Sequence, residues 1–251
     1  MSFEITHRVS PVRIARTTGA FYLSFMVLSV LANALGDIGL GDTSQVHAAI
    51  SSDPGRFRIA LVCAFASTFL FLMAAWGLYV LLSPVNRELA LLFLVLNAVG
   101  VAVQCASMLG LVSALFLGDP VSGSAAFPQD QVDALARGEI DVYRTGFVIA
   151  QLFFGTWLFP LGYLVWRSGF LPRLLGVLLV LDGVAEMVWF LQGLLMPTHP
   201  GIKAPGTVVS LLAEVGLTLW LLVRGVATSA PGVQRPRRPE VVDVGDQGAS
   251  T

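Results

Sequence analysis

Six long apolar segments are the feature that most constrains how this chain can fold. An α-helix rises about 1.5 Å per residue, so about 20 apolar residues cross the roughly 30 Å hydrocarbon core of a bilayer. The six segments cover about 17–36, 59–82, 89–117, 145–166, 174–196 and 204–223. We therefore predict an all-α fold, a polytopic membrane protein built as a bundle of six transmembrane helices.

Composition supports this prediction and excludes other classes. Hydrophobic residues make up 55% of the chain and charged residues 12%, with a formal net charge of −1. This charge provides no basic field for nucleic acid, whereas the apolar surface makes the lipid bilayer the expected partner. A β-barrel would show alternating polar and apolar residues in short strands, and the sequence has continuous apolar runs instead.

The positions of Lys and Arg predict the orientation. With the N-terminus inside, ten arginines are cytoplasmic, against four arginines and Lys203 outside. We therefore predict a multi-pass protein of the cell membrane with both termini in the cytoplasm. The divisions are a cytoplasmic N-terminal segment (1–12), the six-helix domain (13–226) and a disordered cytoplasmic tail (227–251), which is poor in apolar residues.

Two features between and within the spans carry further expectations. The longer loops, about 37–56 and 119–141, are predicted to be external, and Phe127 to Gly138 is predicted to be a short interfacial helix ended by that glycine. The third span carries small residues at four-residue spacing, which predicts a ridge for close helix packing. They are Ala98, Ala102, Ala106, Gly110 and Ala114.

Acidic residues inside the last two spans indicate a candidate site. Asp182 and Glu186 lie one turn apart on one face of the fifth span, and Glu214 lies on the sixth. Counting from the predicted outer ends places Glu186 and Glu214 at the same depth, with Gln104 and Gln151 near that level. We predict a polar cluster in the outer half of the bundle.

Two further residues belong to this candidate cluster. Asn97 precedes Gln104 by seven residues and shares its helix face, so it could bond to another helix or line a cavity. Arg144 and Arg58 are the cations available to the acids. A structural ion pair and a protonatable or cation-binding site are both consistent with ionisable groups at this depth, because an ionised carboxylate there costs a few kcal/mol or more.

The sequence contains no motif that indicates catalysis. The three histidines lie outside the spans without metal-ligand spacing, and no nucleophile elbow, phosphate-binding loop or dinucleotide fingerprint is present. Cys63 and Cys105 lie within apolar runs without a CxxC pattern. No cofactor and no metal site is implied.

Three motifs together resemble a family of bacterial integral membrane proteins catalogued as domain of unknown function 4386. They are Arg13 to Gly19 (RIARTTG), Trp166 to Gly176 (WRSGFLPRLLG) and Trp220 to Gly225 (WLLVRG), which follows Glu214. The resemblance implies a six-helix membrane protein with Glu214 as the acidic position of the last helix, and it assigns no reaction. It also implies that an intramembrane Arg and Glu, found in many members, are replaced here by Asn97 and Val101.

Three functions remain open from the sequence. One is a proton-coupled or small-solute carrier in which Glu186 and Glu214 are the protonatable groups. Another is a membrane-embedded enzyme that acts on lipid with these carboxylates as general acid and base. The third is an accessory or sensor subunit, with a homo-oligomer or another membrane protein as partner.

Overall fold

The computed structural model describes residues 10–117, 127–196, 201 and 204–226. This part of the chain forms helices and contains no strand. The helices are α1 (Pro11–Gly36), α2 (Thr43–Ser52), α3 (Pro54–Leu82), α4 (Arg87–Ser107), α5 (Leu109–Leu117), α6 (Gln129–Ser168), α7 (Arg173–Leu195) and α8 (Ala204–Val223). The predicted tail and most of the predicted N-terminal segment lie outside the described residues.

Six helical spans are long and apolar enough to cross a membrane, which confirms the predicted fold class. They are α1, α3, α4 together with α5, α6, α7 and α8. Each packs against the next in chain order, and α8 returns to α1, so the spans close into a ring. We call the end of the ring that carries α2 the α2 end, and the end where α1 begins and α8 finishes the terminal end.

Close helix contacts hold the ring together where glycines face a neighbouring backbone. A Cβ on Gly162 of α6 would lie 2.7 Å from the carbonyl oxygen of Gly176 on α7. A Cβ on Gly19 of α1 would lie 3.0 Å from the backbone nitrogen of Leu222 on α8. Such small residues allow the backbone approach on which helix packing in lipid depends.

The segment predicted to be an external loop after α1 contains α2. Asp42 begins this helix with a capping box, in which its side chain accepts from the backbone N–H of Gln45 and the Gln45 side chain accepts from the Asp42 N–H. Two hydrogen bonds lower the pKa of Asp42 below its ordinary value. The larger effect comes from the Ser44 hydroxyl and the smaller from the Gln45 N–H. Val46 and Ile50 are the buried residues of α2.

Polar contacts attach α2 to α6. His47 Nε2 lies 3.8 Å from Asp133 Oδ1, and the Thr43 hydroxyl donates a hydrogen bond to Asp141. Arg144 donates from Nη1 to the Thr43 hydroxyl oxygen at 3.0 Å. These contacts make α2 a cap on one end of the ring.

The prediction of a separate interfacial helix ended by Gly138 is wrong. Helix α6 runs without interruption for 40 residues, about 60 Å or twice the thickness of a hydrocarbon core. Gly138 lies inside it, and its φ is not positive as a glycine helix end would require. The extension is helical because it has something to pack on: Val132, Ala136 and Ile140 are buried.

The third span runs through α4 and α5 for 31 residues, as predicted, with an irregularity at Met108. Met108 keeps helical φ and ψ, and the Val112 N–H donates to its carbonyl oxygen at 3.1 Å. The small-residue ridge predicted for this span departs from expectation. Of the predicted small-residue ridge, Ala102 and Ala106 are exposed in this chain, and only the two members on α5 are buried. The ridge prediction therefore fails for α4, where the buried face instead includes Asn97 and Gly100.

Two groups of buried apolar side chains fill the ring. The larger group joins all six spans and includes Phe71, Phe93 and Trp157. The smaller lies towards the α2 end and joins α2 and α5 to the ends of α1, α3 and α6. Between them is a cavity.

Candidate functional site

The cavity has a volume of about 480 Å³ and lies inside the ring, towards the α2 end. This volume falls within the range of small-molecule sites, about 300–1,000 Å³. The described residues that line it come from α1, α3, α4, α6, α7, α8 and the Met108 and Ile38–Leu40 connections. Most are apolar or aromatic, and the polar ones are Ser29, Asn33, Ser67, Gln104, Tyr143, Gln151, Glu186 and Glu214.

An aromatic cluster forms the wall of the cavity nearer the terminal end. The Phe71 ring stacks on Phe25 with centroids 4.5 Å apart, and it meets Phe154 and Trp157 edge-on at 5.4 and 5.3 Å. All four residues line the cavity. Trp157 is 1% exposed, so this wall is continuous with the larger core.

Glu214 contributes a carboxylate at this same end of the cavity. The fully buried Tyr22 hydroxyl on α1 donates a hydrogen bond to Glu214 Oε1 at 3.3 Å. The Tyr22 ring packs edge-on against Phe25 and Phe71 at 5.7 Å. Tyr22 therefore fixes the acid to the aromatic wall.

The register of α7 against α8 sets the depth of the three acids. The Ser210 hydroxyl donates a hydrogen bond to Asp182, and Gly206 faces Ala185. Glu214 lies one turn beyond Ser210 towards the terminal end, whereas Glu186 lies one turn beyond Asp182 towards the α2 end. The prediction that Glu186 and Glu214 share one depth is therefore wrong for the backbone, because their Cα atoms are offset by about two turns, or 11 Å, along the ring.

Asp182 is 1% exposed and lies between these two levels. Its Oδ1 accepts from Ser210, and its Oδ2 has no hydrogen-bond partner among the residues that the structure describes. It does not line the cavity. Asp182 thus belongs to the α7–α8 contact behind the cavity wall.

Gln104 and Gln151, two members of the predicted polar cluster, both line the cavity. Gln151 is 5% exposed, and its side chain forms no hydrogen bond with another described residue. A buried amide normally has partners, so this one is available to a group inside the cavity.

The other two predicted residues lie elsewhere. Asn97 is fully buried within α4, away from the cavity lining, and neither amide atom has a hydrogen-bond partner in the described part of the chain. Arg144 lines a neighbouring groove at the α2 end, where it bonds to Thr43. Gly39, Leu40, Tyr143 and Phe147 are common to groove and cavity, so the groove adjoins the cavity.

The sequence matches the family model described as Domain of unknown function (DUF4386) over residues 17–225. The chain belongs to the DUF4386 family. The match includes all the residues that line the cavity. Comparison with curated proteins and with solved structures gave no match.

The predictions within the DUF4386 domain did not include the partners of two acids or four polar residues that line the cavity, namely Ser29, Asn33, Ser67 and Tyr143. Tyr22 and Ser210 hold Glu214 and Asp182, yet both read as ordinary members of apolar runs. A tyrosine in the middle of a span, away from the interfaces where tyrosine is enriched, was the available signal for the first. The available signal for Ser210 was its position four residues before Glu214, which places both residues on the same face of α8.

Proposed function

We propose that this protein is a small-solute carrier that binds its solute in the cavity and uses Glu186 and Glu214 as protonatable groups. The observation behind the proposal is the cavity itself, a largely apolar space inside a ring of membrane helices with two carboxyls and three amides on its walls. Pockets that bind small molecules share this design, an apolar lining with a few polar groups that orient the ligand.

The carboxyls are the reason to expect coupling to protons. An ionised carboxylate inside the hydrocarbon region costs about 2.5 kcal/mol or more unless it is paired or faces water. A carboxyl that is protonated while the cavity is empty, and ionised only when a solute places a positive charge beside it, avoids this cost in both states. Intramembrane acids serve as proton relays in carriers for this reason.

The exposed rim suggests the side from which the solute arrives. Val30 and Leu40 line the cavity and are 67% and 74% exposed. In the predicted orientation the α2 end faces outward, so the cavity is loaded from the outer half of the membrane. The aromatic wall then separates the solute from the cytoplasmic side. Its side chains have to move apart before the solute can be released into the cytoplasm.

Proton movement in proteoliposomes tests the proposal. Vesicles that contain the protein and a trapped pH-sensitive dye would receive benzyltrimethylammonium, phenylalanine or benzenesulfonate under an imposed pH gradient. None of these three acts as a permeant weak acid or base, so proton flux reports the protein. We expect at least one to move protons in the wild type, with loss of the flux in Glu186→Gln and Glu214→Gln.

The control is Glu88→Gln, which removes an exposed carboxyl at the start of α4, outside the cavity. It should retain the wild-type flux. Absence of proton movement with all three solutes, or unchanged flux in both cavity variants, would contradict the carrier.

A further inference from the structure

The charge of the cavity lining restricts what can bind there. Among the described residues that line it, Glu186 and Glu214 are acidic, and none is Lys or Arg. The partner of Glu214 in the structure is the neutral hydroxyl of Tyr22. An anionic solute would therefore meet only carboxyls and neutral dipoles, whereas a cation would supply the charge that an ionised Glu214 requires.

The volume of the cavity favours an organic solute over a bare inorganic ion. Oxygen ligands lie about 2.3–2.6 Å from Ca²⁺ and closer still to Mg²⁺, so such an ion fills a small site. The cavity volume of about 480 Å³ accommodates an organic molecule.

The aromatic wall adds a second feature that favours an organic cation. Phe25, Phe71, Phe154 and Trp157 present rings to the cavity beside the Tyr22–Glu214 pair. Ring faces attract ammonium groups, most strongly in tryptophan, and they also pack against the apolar part of a solute. Recognition of quaternary ammonium groups by aromatic side chains follows this principle.

An unpartnered amide lies in the same cavity. Gln151 is buried, and its side chain lacks a hydrogen bond within the described part of the chain. Its carbonyl oxygen can accept from an ammonium N–H, and its dipole can stabilise a cation that has none. This group is independent of the acids and also indicates a ligand.

From these observations we infer that the solute is a small amphiphilic organic cation, an apolar or aromatic group attached to an ammonium centre, with Glu214 as its main anchor. The inference rests on the proposed solute site and specifies its substrate class. Glu186, two turns nearer the α2 end, meets the cation along the way to Glu214.

Binding to the full chain in nanodiscs tests this substrate class without any need for transport. Tritiated benzyltrimethylammonium is the probe, and its neutral isostere neopentylbenzene and the anion benzenesulfonate are the competitors. The wild type should bind the cation, and neither competitor should displace it at equal concentration. Glu214→Gln should weaken cation binding by about tenfold or more, because it leaves the ammonium without its countercharge.

Two variants complete the test. Glu88→Gln should bind the cation like the wild type, and Gln104→Glu, which adds a carboxyl to the lining, should bind it more tightly. If Glu214→Gln does not fold, two other measurements test the inference. They are the charge selectivity of the wild type and the affinity of Gln104→Glu for the cation. Equal binding of the neutral or anionic probe, or an unchanged affinity in a folded Glu214→Gln, overturns the inference.

The two proposals fail separately. Selective cation binding without proton-coupled flux supports the cation site and contradicts the carrier. Flux of phenylalanine or benzenesulfonate, without binding of the quaternary cation, supports the carrier and overturns the substrate class.

Discussion

Two amides in neighbouring spans show how burial assigns roles to single residues. Asn97 and Gln151 are both buried polar residues in apolar helices, and the sequence treats them alike. Gln151 lines the cavity, where a solute can form hydrogen bonds with its amide. Asn97 is fully buried on α4, and neither of its amide atoms has a hydrogen-bond partner among the described residues. A polar group without a partner costs about 1–3 kcal/mol when buried.

Replacement of Asn97 should therefore stabilise the protein. Valine is close to asparagine in volume and has no polar atom, so Asn97→Val should raise the free energy of unfolding by about 1 kcal/mol. Unfolding of the purified chain in mixed micelles measures this change. The matched control is Gln192→Leu, which removes an amide that donates to the Met196 carbonyl oxygen at 2.9 Å and should lower stability. A destabilised Asn97→Val would show that the amide has a partner.

At the scale of elements, α6 shows that a helix continues where its surface finds partners. The chain from Gln129 to Arg144 contains charged residues and Gly138, a composition that suggests a break before the membrane. Packing against α2 and α5 makes the helical conformation favourable there. The same helix has Gly162 in tight contact with α7, so its two glycines have opposite roles.

Alanine at these two glycines should change stability in opposite directions. Gly138→Ala meets no atom within 4 Å and should raise stability by up to about 1 kcal/mol, the difference in helix propensity. Gly162→Ala would place its Cβ 2.7 Å from the Gly176 carbonyl oxygen and should cost about 1–3 kcal/mol. Thermal unfolding of both variants in one detergent checks this pair. Loss of stability in Gly138→Ala would argue against a continuous α6.

At the scale of the whole molecule, the ring has two distinct ends. Helix α2 and the extension of α6 cover one end, and the other carries the start of α1 and the short α3–α4 and α6–α7 turns. The distribution of Arg and Lys predicts that the α2 end is external and the terminal end cytoplasmic. This orientation determines the side from which the cavity is loaded.

Site-directed labelling tests the predicted orientation. In a Cys63→Ala, Cys105→Ala background, Ala48→Cys on α2 should react with a membrane-impermeant maleimide on intact cells. Glu88→Cys, at the start of α4, should react only after permeabilisation. Both positions are exposed, so reactivity reports the side of the membrane. The reverse pattern would invert the assignment and place the cavity on the cytoplasmic side.

The sequence alone determined the class of this protein and the number of its spans, because hydrophobic length along the chain is a local property. It also indicated four of the eight polar residues that line the cavity, since an ionisable or amide group in an apolar helix is conspicuous. Tertiary structure decided which of them meet. The register of α8 on α7 offsets the backbone positions of Glu186 and Glu214. Packing places Asn97 in the core and brings Arg144 of α6 against Thr43 of α2. Depth counted along one helix says nothing about register between helices, because side-chain packing between distant segments sets that register.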